Sequence, residues 1–123
     1  MRDGYVYLSD RIKDMIITGG ENVYSIEVEN ALLSDPRIND AAVIGVPSQK
    51  WGETVEAIVV RNQDSPGLSP GDVIAVARER LAGYKVPTSV EFVPELPRNA
   101  SGKVLKHVLR DRFRSAGEAR PAG

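Results

Sequence analysis

"DAAVIGVPSQKWGETVEAIVVRN", residues 40–62, decides the fold. Two β-branched runs, "DAAVIGVP" and "ETVEAIVVRN", flank the polar "SQKWG". Val and Ile fit a pleated sheet surface, and a short connection containing glycine joins antiparallel neighbours. The stretch therefore predicts two adjacent antiparallel strands, with Trp51, the only tryptophan, in the loop between them. An aromatic side chain in a loop serves either recognition or core packing, and both readings stand at this point.

Upstream, "RDGYVYLSDRIKDMIITGG" reads as a hairpin of two short strands, Tyr5–Leu8 and Met15–Thr18, around a polar turn from Ser9 to Lys13. "SIEVENALLSDP" supplies an N-cap at Ser25, early acids Glu27 and Glu29, and Val28, Ala31 and Leu32 at helical spacing, with Pro36 beyond the end. The spacing predicts a helix over 26–33. Between these elements, "GGEN" at 19–22 is either a plain strand-to-helix turn or a place where backbone approaches a ligand closely. Downstream, Ser69 followed by Pro70 and Asp72 forms a helix start, and Val73, Val76, Ala77 and Leu81 make its apolar stripe, closed by Gly83. A strand is expected at Val90–Val93, between prolines that suit a sheet edge, and a last helix from Lys103 to about Phe113. The order β-β-α-β-β-α-β-α predicts a small α+β domain: a short mixed or antiparallel sheet with about three helices, preceded by a two-stranded hairpin. Residues 1–114 form that domain and the polar 115–123 a disordered tail.

Composition narrows the functions. The 123 residues are 41% hydrophobic and 27% charged, ordinary for one globular domain, and a net charge of -1 makes no case for nucleic acid or an acidic membrane. The absence of cysteine excludes disulfides, thiolate zinc sites and cysteine nucleophiles. His107, the single histidine, cannot build a metal site alone. No charged-then-apolar leader opens the chain, and no apolar run approaches the roughly 18 residues a membrane span needs. A cytoplasmic protein is the expectation.

Several motifs fail specific tests. A P-loop ending at Gly102-Lys103 needs glycine at 97 and Ser or Thr at 104, where the chain has Pro97 and Val104. No G-x-G-x-x-G exists, so a dinucleotide fingerprint fails too. The sequon Asn99-Ala100-Ser101 carries no meaning without a secretory leader. Lys106, Arg110, Arg112 and Arg114 read as a solvated basic helix face, with a nucleic-acid surface as the lesser alternative. Lys103, placed at a helix N-terminus in "PRNASGKVLK", opposes the positive end of the helix dipole; it is either a solvated surface lysine or one that awaits an anion. No nucleophile, base and orienting acid come together into a complete active site.

Three ordered motifs resemble one family. "DGYVYLSDRIKDMIITGGENVYSIEVE", "GVPSQKWGE" and "YKVPTSVEFVPELPRNASGKVLKHVLR" are similar to the small C-terminal domain of acyl-CoA synthetases and their adenylate-forming relatives, over Gly4 to Arg114. "MIITGGEN" and "KWGE" bring it nearest to fatty-acid or aromatic-acid CoA ligases. The resemblance implies an AMP-forming acid–thiol ligase that uses ATP with Mg2+ and CoA, the Mg2+ not being bound by this domain. It also implies a large N-terminal domain, with no counterpart in these residues, that binds ATP and the carboxylic acid; this domain alone would be inactive. By the same resemblance Lys103 is the adenylation lysine, Arg11 contacts the ribose and Lys13 is the hinge. Gly19, Gly20 and Glu21 line the pantetheine tunnel, Trp51 packs along the pantetheine arm, and Tyr84 and Lys85 meet the nucleotide end of CoA. Ser25 stands where many relatives carry proline, and Val86 where some are basic. An adenylation domain that loads a carrier protein, and a free-standing adaptor module, are the alternatives.

Overall fold

The structure, a computed structural model, describes residues 15–119, with side chains up to residue 113. Its elements are β1 (Met15–Thr18), β2 (Glu21–Tyr24), α1 (Ser25–Leu33), β3 (Ile38–Ser48), β4 (Gly52–Arg61), α2 (Pro70–Arg80), a 3-10 turn (Gly83–Lys85), β5 (Ser89–Phe92) and α3 (Lys106–Ala119). The sheet order is β2-β1-β4-β3, with β5 also paired to β4. The longest ladder joins β3 and β4 in antiparallel register from Ile38↔Arg61 to Ser48↔Gly52, as the β-branched runs require. β5 runs parallel to β4 from Glu56↔Ser89 to Val59↔Phe92, so the sheet is mixed and the α+β expectation holds. β1 meets β4 at Thr18↔Gly52.

The β3–β4 ribbon is buried on both faces, which is why its sequence reads as apolar runs and not as alternation. Side chains alternate between faces along a strand. Ala41, Val43, Val55, Ala57 and Val59 face a core shared with Ile16 and Val23 of the hairpin, Val28 and Leu32 of α1, and Val73 and Ala77 of α2. Ala42, Ile44, Val46, Ile58 and Val60 face a second core with Leu96 and Leu109, the latter from α3. The domain thus has three layers.

The stretch that follows Met15–Thr18 differs from its expected form. Among the described residues β1 pairs with β2, from Met15↔Tyr24 to Thr18↔Glu21, so "GGEN" is a hairpin turn followed by a strand and not a strand-to-helix turn. Gly19 and Gly20 both have positive φ, 58° and 85°, as a two-residue hairpin turn demands. The strand expected at Tyr5–Leu8, its turn, and with them Arg11 and Lys13, lie outside the described residues. The last helix also starts later, at Lys106, and runs on to Ala119.

Polar side chains tie the layers together. Glu29 of α1 accepts the Val43 N–H of β3 at 2.9 Å, and its carboxylate pairs with Lys106 of α3 at 2.6 Å. Lys106 also donates to Ser25 Oγ at 3.0 Å. Lys106 is therefore part of the interior, with its side chain only 14% exposed, and not of a solvated basic face. Ser25 is likewise not an N-cap: Tyr24 holds that position without a side-chain bond, and Ser25, 1% exposed, is the lysine's acceptor. The Ser69 capping box on α2 forms as read, with Asp72 N–H donating to Ser69 Oγ at 3.1 Å and Ser69 N–H to Asp72 Oδ2 at 3.0 Å.

Replacing Lys106 with Met removes the ammonium that meets the Glu29 carboxylate in the interior, so denaturant unfolding should show a loss of about 3 kcal/mol. A loss no larger than that of an exposed pair would show that solvent reaches the site. The Ser69 backbone N–H, and after it the Ser69 hydroxyl, hold the Asp72 carboxyl below the usual carboxylate range. A depressed carboxyl stabilises the fold above its unfolded-state value, and that stabilisation is lost as pH falls through the folded-state value. Asp72→Asn should therefore flatten the decline of stability below about pH 4, measured by urea unfolding at stepped pH.

Candidate functional site

Lys103 sits in a loop whose shape comes from one asparagine. Asn99 Oδ1 accepts the N–H groups of Ser101 and Lys103, each at 3.0 Å, and the Ser101 hydroxyl at 2.8 Å. The Asn99 N–H donates to the Lys103 carbonyl at 3.0 Å, so the Lys103 backbone is held from both sides. Gly102 takes φ 87°, a conformation that suits glycine, and its N–H donates to the Asn99 carbonyl at 2.9 Å. Arg98 and Val104 form an antiparallel bridge across the loop's neck. With α3 beginning only at Lys106, Lys103 is not in a helical first turn, and the helix dipole is not what sets its electrostatics. The fixed backbone and the exposed side chain are what the site offers.

Arg98 ties this loop to the sheet. One arm of its guanidinium donates to the Gly102 carbonyl at 2.6 Å and the other to Asp40 Oδ2, at the start of β3. Asp40 Oδ1 in turn accepts the Ala41 N–H at 2.9 Å. Sequence reading missed Arg98, Asn99 and Asp40. The Asn-x-Ser-Gly run was a legible turn signal, but a bond between residues 98 and 40 was not.

At the far end of β3, the expected tunnel residues come together. The Gly19 N–H donates to the Trp51 carbonyl at 2.9 Å, and a Cβ on Gly19 would lie 3.0 Å from Trp51 Cε3. The indole thus rests on the glycine turn with 49% of its surface exposed, so it is not packed into the core. Lys50 Nζ lies 5.0 Å from the ring centroid. Gly52, at φ 83°, lets the chain reverse into β4, and the Trp51 N–H donates to Ser48 Oγ at 3.2 Å. Glu53, also missed from sequence, accepts the Ile17 N–H at 3.0 Å, and its carboxylate occupies the space that a side chain on residue 45 would need. Gly20 has open space where a Cβ would project, and Glu21 begins β2 with its side chain exposed.

Tyr84 and Lys85 lie on the 3-10 turn, in contact with β2. Lys85 Nζ donates to both Glu27 oxygens at 2.9 Å, and this bond holds the lysine above its usual range. Tyr84 is 45% exposed, 5.6 Å from the same ammonium. Asp40 and Ser48 anchor the Lys103 and Trp51 loops, and β3 at about 3.3 Å per residue puts those anchors about 26 Å apart. The described candidate residues thus fall into two groups, one at each end of the ribbon. Among the described residues no group of three or more His, Cys, Asp or Glu could hold a metal ion, and no helix is long and apolar enough to cross a membrane.

The fold and the sequence have known counterparts. The family model described as the AMP-binding enzyme C-terminal domain matches residues 27–103, ending on Lys103. Feruloyl-CoA synthase from Amycolatopsis sp is 52% identical over 111 residues, covering 90% of this chain and 22% of that protein. The fatty acid–[acyl-carrier-protein] ligase ScoC from Streptomyces coeruleorubidus is 48% identical over 113 residues, covering 90% of this chain and 21% of that protein. Among solved structures, the Mycobacterium tuberculosis fatty acyl CoA synthetase superposes with a TM-score of 0.80 at 45% identity, over 86% of this chain and 21% of that one. The chain spans about a fifth of the length of these relatives. With that family model over most of its folded core and relatives at about half identity, the chain belongs to the AMP-binding enzyme C-terminal domain family, whose relatives here are acyl-CoA synthetases and ligases.

Proposed function

We propose that this chain is the mobile C-terminal domain of an AMP-forming acid–thiol ligase and serves two half-reactions with its two ends. The observation that carries the reading is the separation of a rigidly held lysine from a glycine turn capped by an exposed indole. In the first half-reaction a carboxylate oxygen attacks the α-phosphorus of ATP and pyrophosphate leaves. Lys103, presented on its pinned backbone to a closed and partly desolvated site, neutralises charge shared by the carboxylate and the α-phosphate. A preorganised donor of this kind contributes about 3 kcal/mol to the transition state. ATP and the acid belong to a larger N-terminal domain, and Mg2+ accompanies the nucleotide there.

In the second half-reaction the thiol sulfur attacks the acyl carbonyl and AMP leaves. For that step the domain turns, with Lys13 as the hinge and Arg11 at the ribose in the first state. Gly19 and Gly20 give a thiol arm a wall without side chains, Glu21 and Trp51 flank it, and Tyr84 with Lys85 stand toward the nucleotide end of CoA. The Lys85–Glu27 pair would have to open or share its charge for a phosphate to bind. CoA is the proposed acceptor; a carrier-protein thiol is the second reading, favoured by the 48% identity to a ligase whose name specifies that acceptor. The acid itself is left open, because feruloyl and fatty acyl relatives match this domain almost equally well.

In the whole ligase, Lys103→Ala should lower acid-dependent pyrophosphate exchange by about a hundredfold or more. It should leave thioester formation from supplied acyl-adenylate near the parent rate. Gly20→Leu should do the reverse. Equal loss of both half-reactions in both variants would refute the division between the two ends, and saturation by CoA without any carrier protein would decide between the two acceptors.

A further inference from the structure

We propose that Arg98, held by Asp40, is the positioning residue of Lys103; the proposal rests on the reading of Lys103 as the adenylation lysine. The three bonds accepted by Asn99 lie within residues 99–103, so they shape the loop without deciding where it sits on the domain. The neck of the loop is fixed by the Arg98–Val104 bridge and by Val104 against the second core, but its tip is not packed, since a Cβ at Gly102 would meet nothing within 4 Å. The guanidinium of Arg98 reaches out of the loop. It grips the Gly102 carbonyl, in the peptide that leads into Lys103, and the Asp40 carboxylate, itself braced by the Ala41 N–H at the start of β3.

The chemistry suits this role. A guanidinium is a planar fork that can hold two acceptors in fixed geometry, whereas an ammonium is a single point charge on a flexible stem. The pair adds little to stability, because the Arg98 and Asp40 side chains are 42% and 27% exposed and such pairs are worth little in solvent. Its effect should therefore fall on where the lysine points. Displacement of a catalytic group by about 1 Å can cost about a hundredfold in rate.

The test uses the whole ligase with Arg98→Ala, Arg98→Lys, Asp40→Asn and Lys103→Ala, each assayed for both half-reactions and for melting temperature. Arg98→Ala is expected to lower kcat for pyrophosphate exchange about 10- to 100-fold, with KM for ATP and acid within about twofold of the parent. Arg98→Lys should recover part of the loss and Asp40→Asn should show a smaller one. Thioester formation from supplied acyl-adenylate and the melting temperature should stay near the parent values. If Lys103→Ala abolishes exchange while Arg98→Ala and Asp40→Asn leave it intact, the positioning role is overturned. Equal loss of both half-reactions with a lowered melting temperature would also overturn it, since Arg98 would then be structural. If Lys103→Ala itself leaves exchange intact, the assignment of Lys103 fails, and that failure is distinguishable from failure of the clamp.

Discussion

Everything in this domain hangs on the β3–β4 ribbon being buried on both faces. Four consecutive residues of β3, Ala41 to Ile44, and six of β4, Val55 to Val60, are withdrawn from solvent. A ribbon of this kind cannot exist in water alone, because each face exposes apolar surface that costs about 25 cal/mol per Å² to leave wet. One face is therefore covered by the hairpin with α1 and α2, and the other by α3. With both faces occupied, the ends of the ribbon are where loops reach solvent. That is where Lys103 and Trp51 are found.

The layers on opposite faces need a connection around the edge of the sheet, and Glu29 makes it. Its carboxylate meets the outward Val43 N–H of the edge strand and, at the same time, the Lys106 ammonium from the other layer. An unpaired edge N–H is both a desolvation cost and a template for mispairing, so one side chain answers two problems. Lys106 stands three residues beyond Lys103 in the chain. Anchoring the first turn of α3 against α1 thus also anchors the C-terminal side of the lysine loop, while Arg98 holds its N-terminal side. The two lysines, so alike in sequence, differ in exposure: Lys106 is enclosed, whereas Lys103 lies at the surface.

The Trp51 end is built by a different device, small residues accommodating large ones. Gly19 makes room for the indole, and Gly45 for the Glu53 carboxylate that caps β1. The result is an aromatic surface standing on backbone, with little freedom to collapse inward.

The paired strands, the α2 capping box and the edge position of β5 were all legible in residues 40–93, because periodicity, cap chemistry and proline placement act over a few residues. The family resemblance rested on similarly local strings. What sequence misjudged were the GGEN turn, the start of α3 and the fate of Ser25 and Lys106. The fate of Ser25 and Lys106 depends on residues distant along the chain. Asn99 and Gly102 close a turn where a helix start had been read, and the Ser25–Lys106 and Arg98–Asp40 bonds span separations of 81 and 58 residues. The sequence by itself determined most of the strands and helices, and the chemistry available at Lys103 and Trp51. Only the tertiary structure decided which lysine is enclosed and which presented, and that the candidate residues divide between two ends of one ribbon, because those outcomes are set by burial and long-range pairing that no local pattern records.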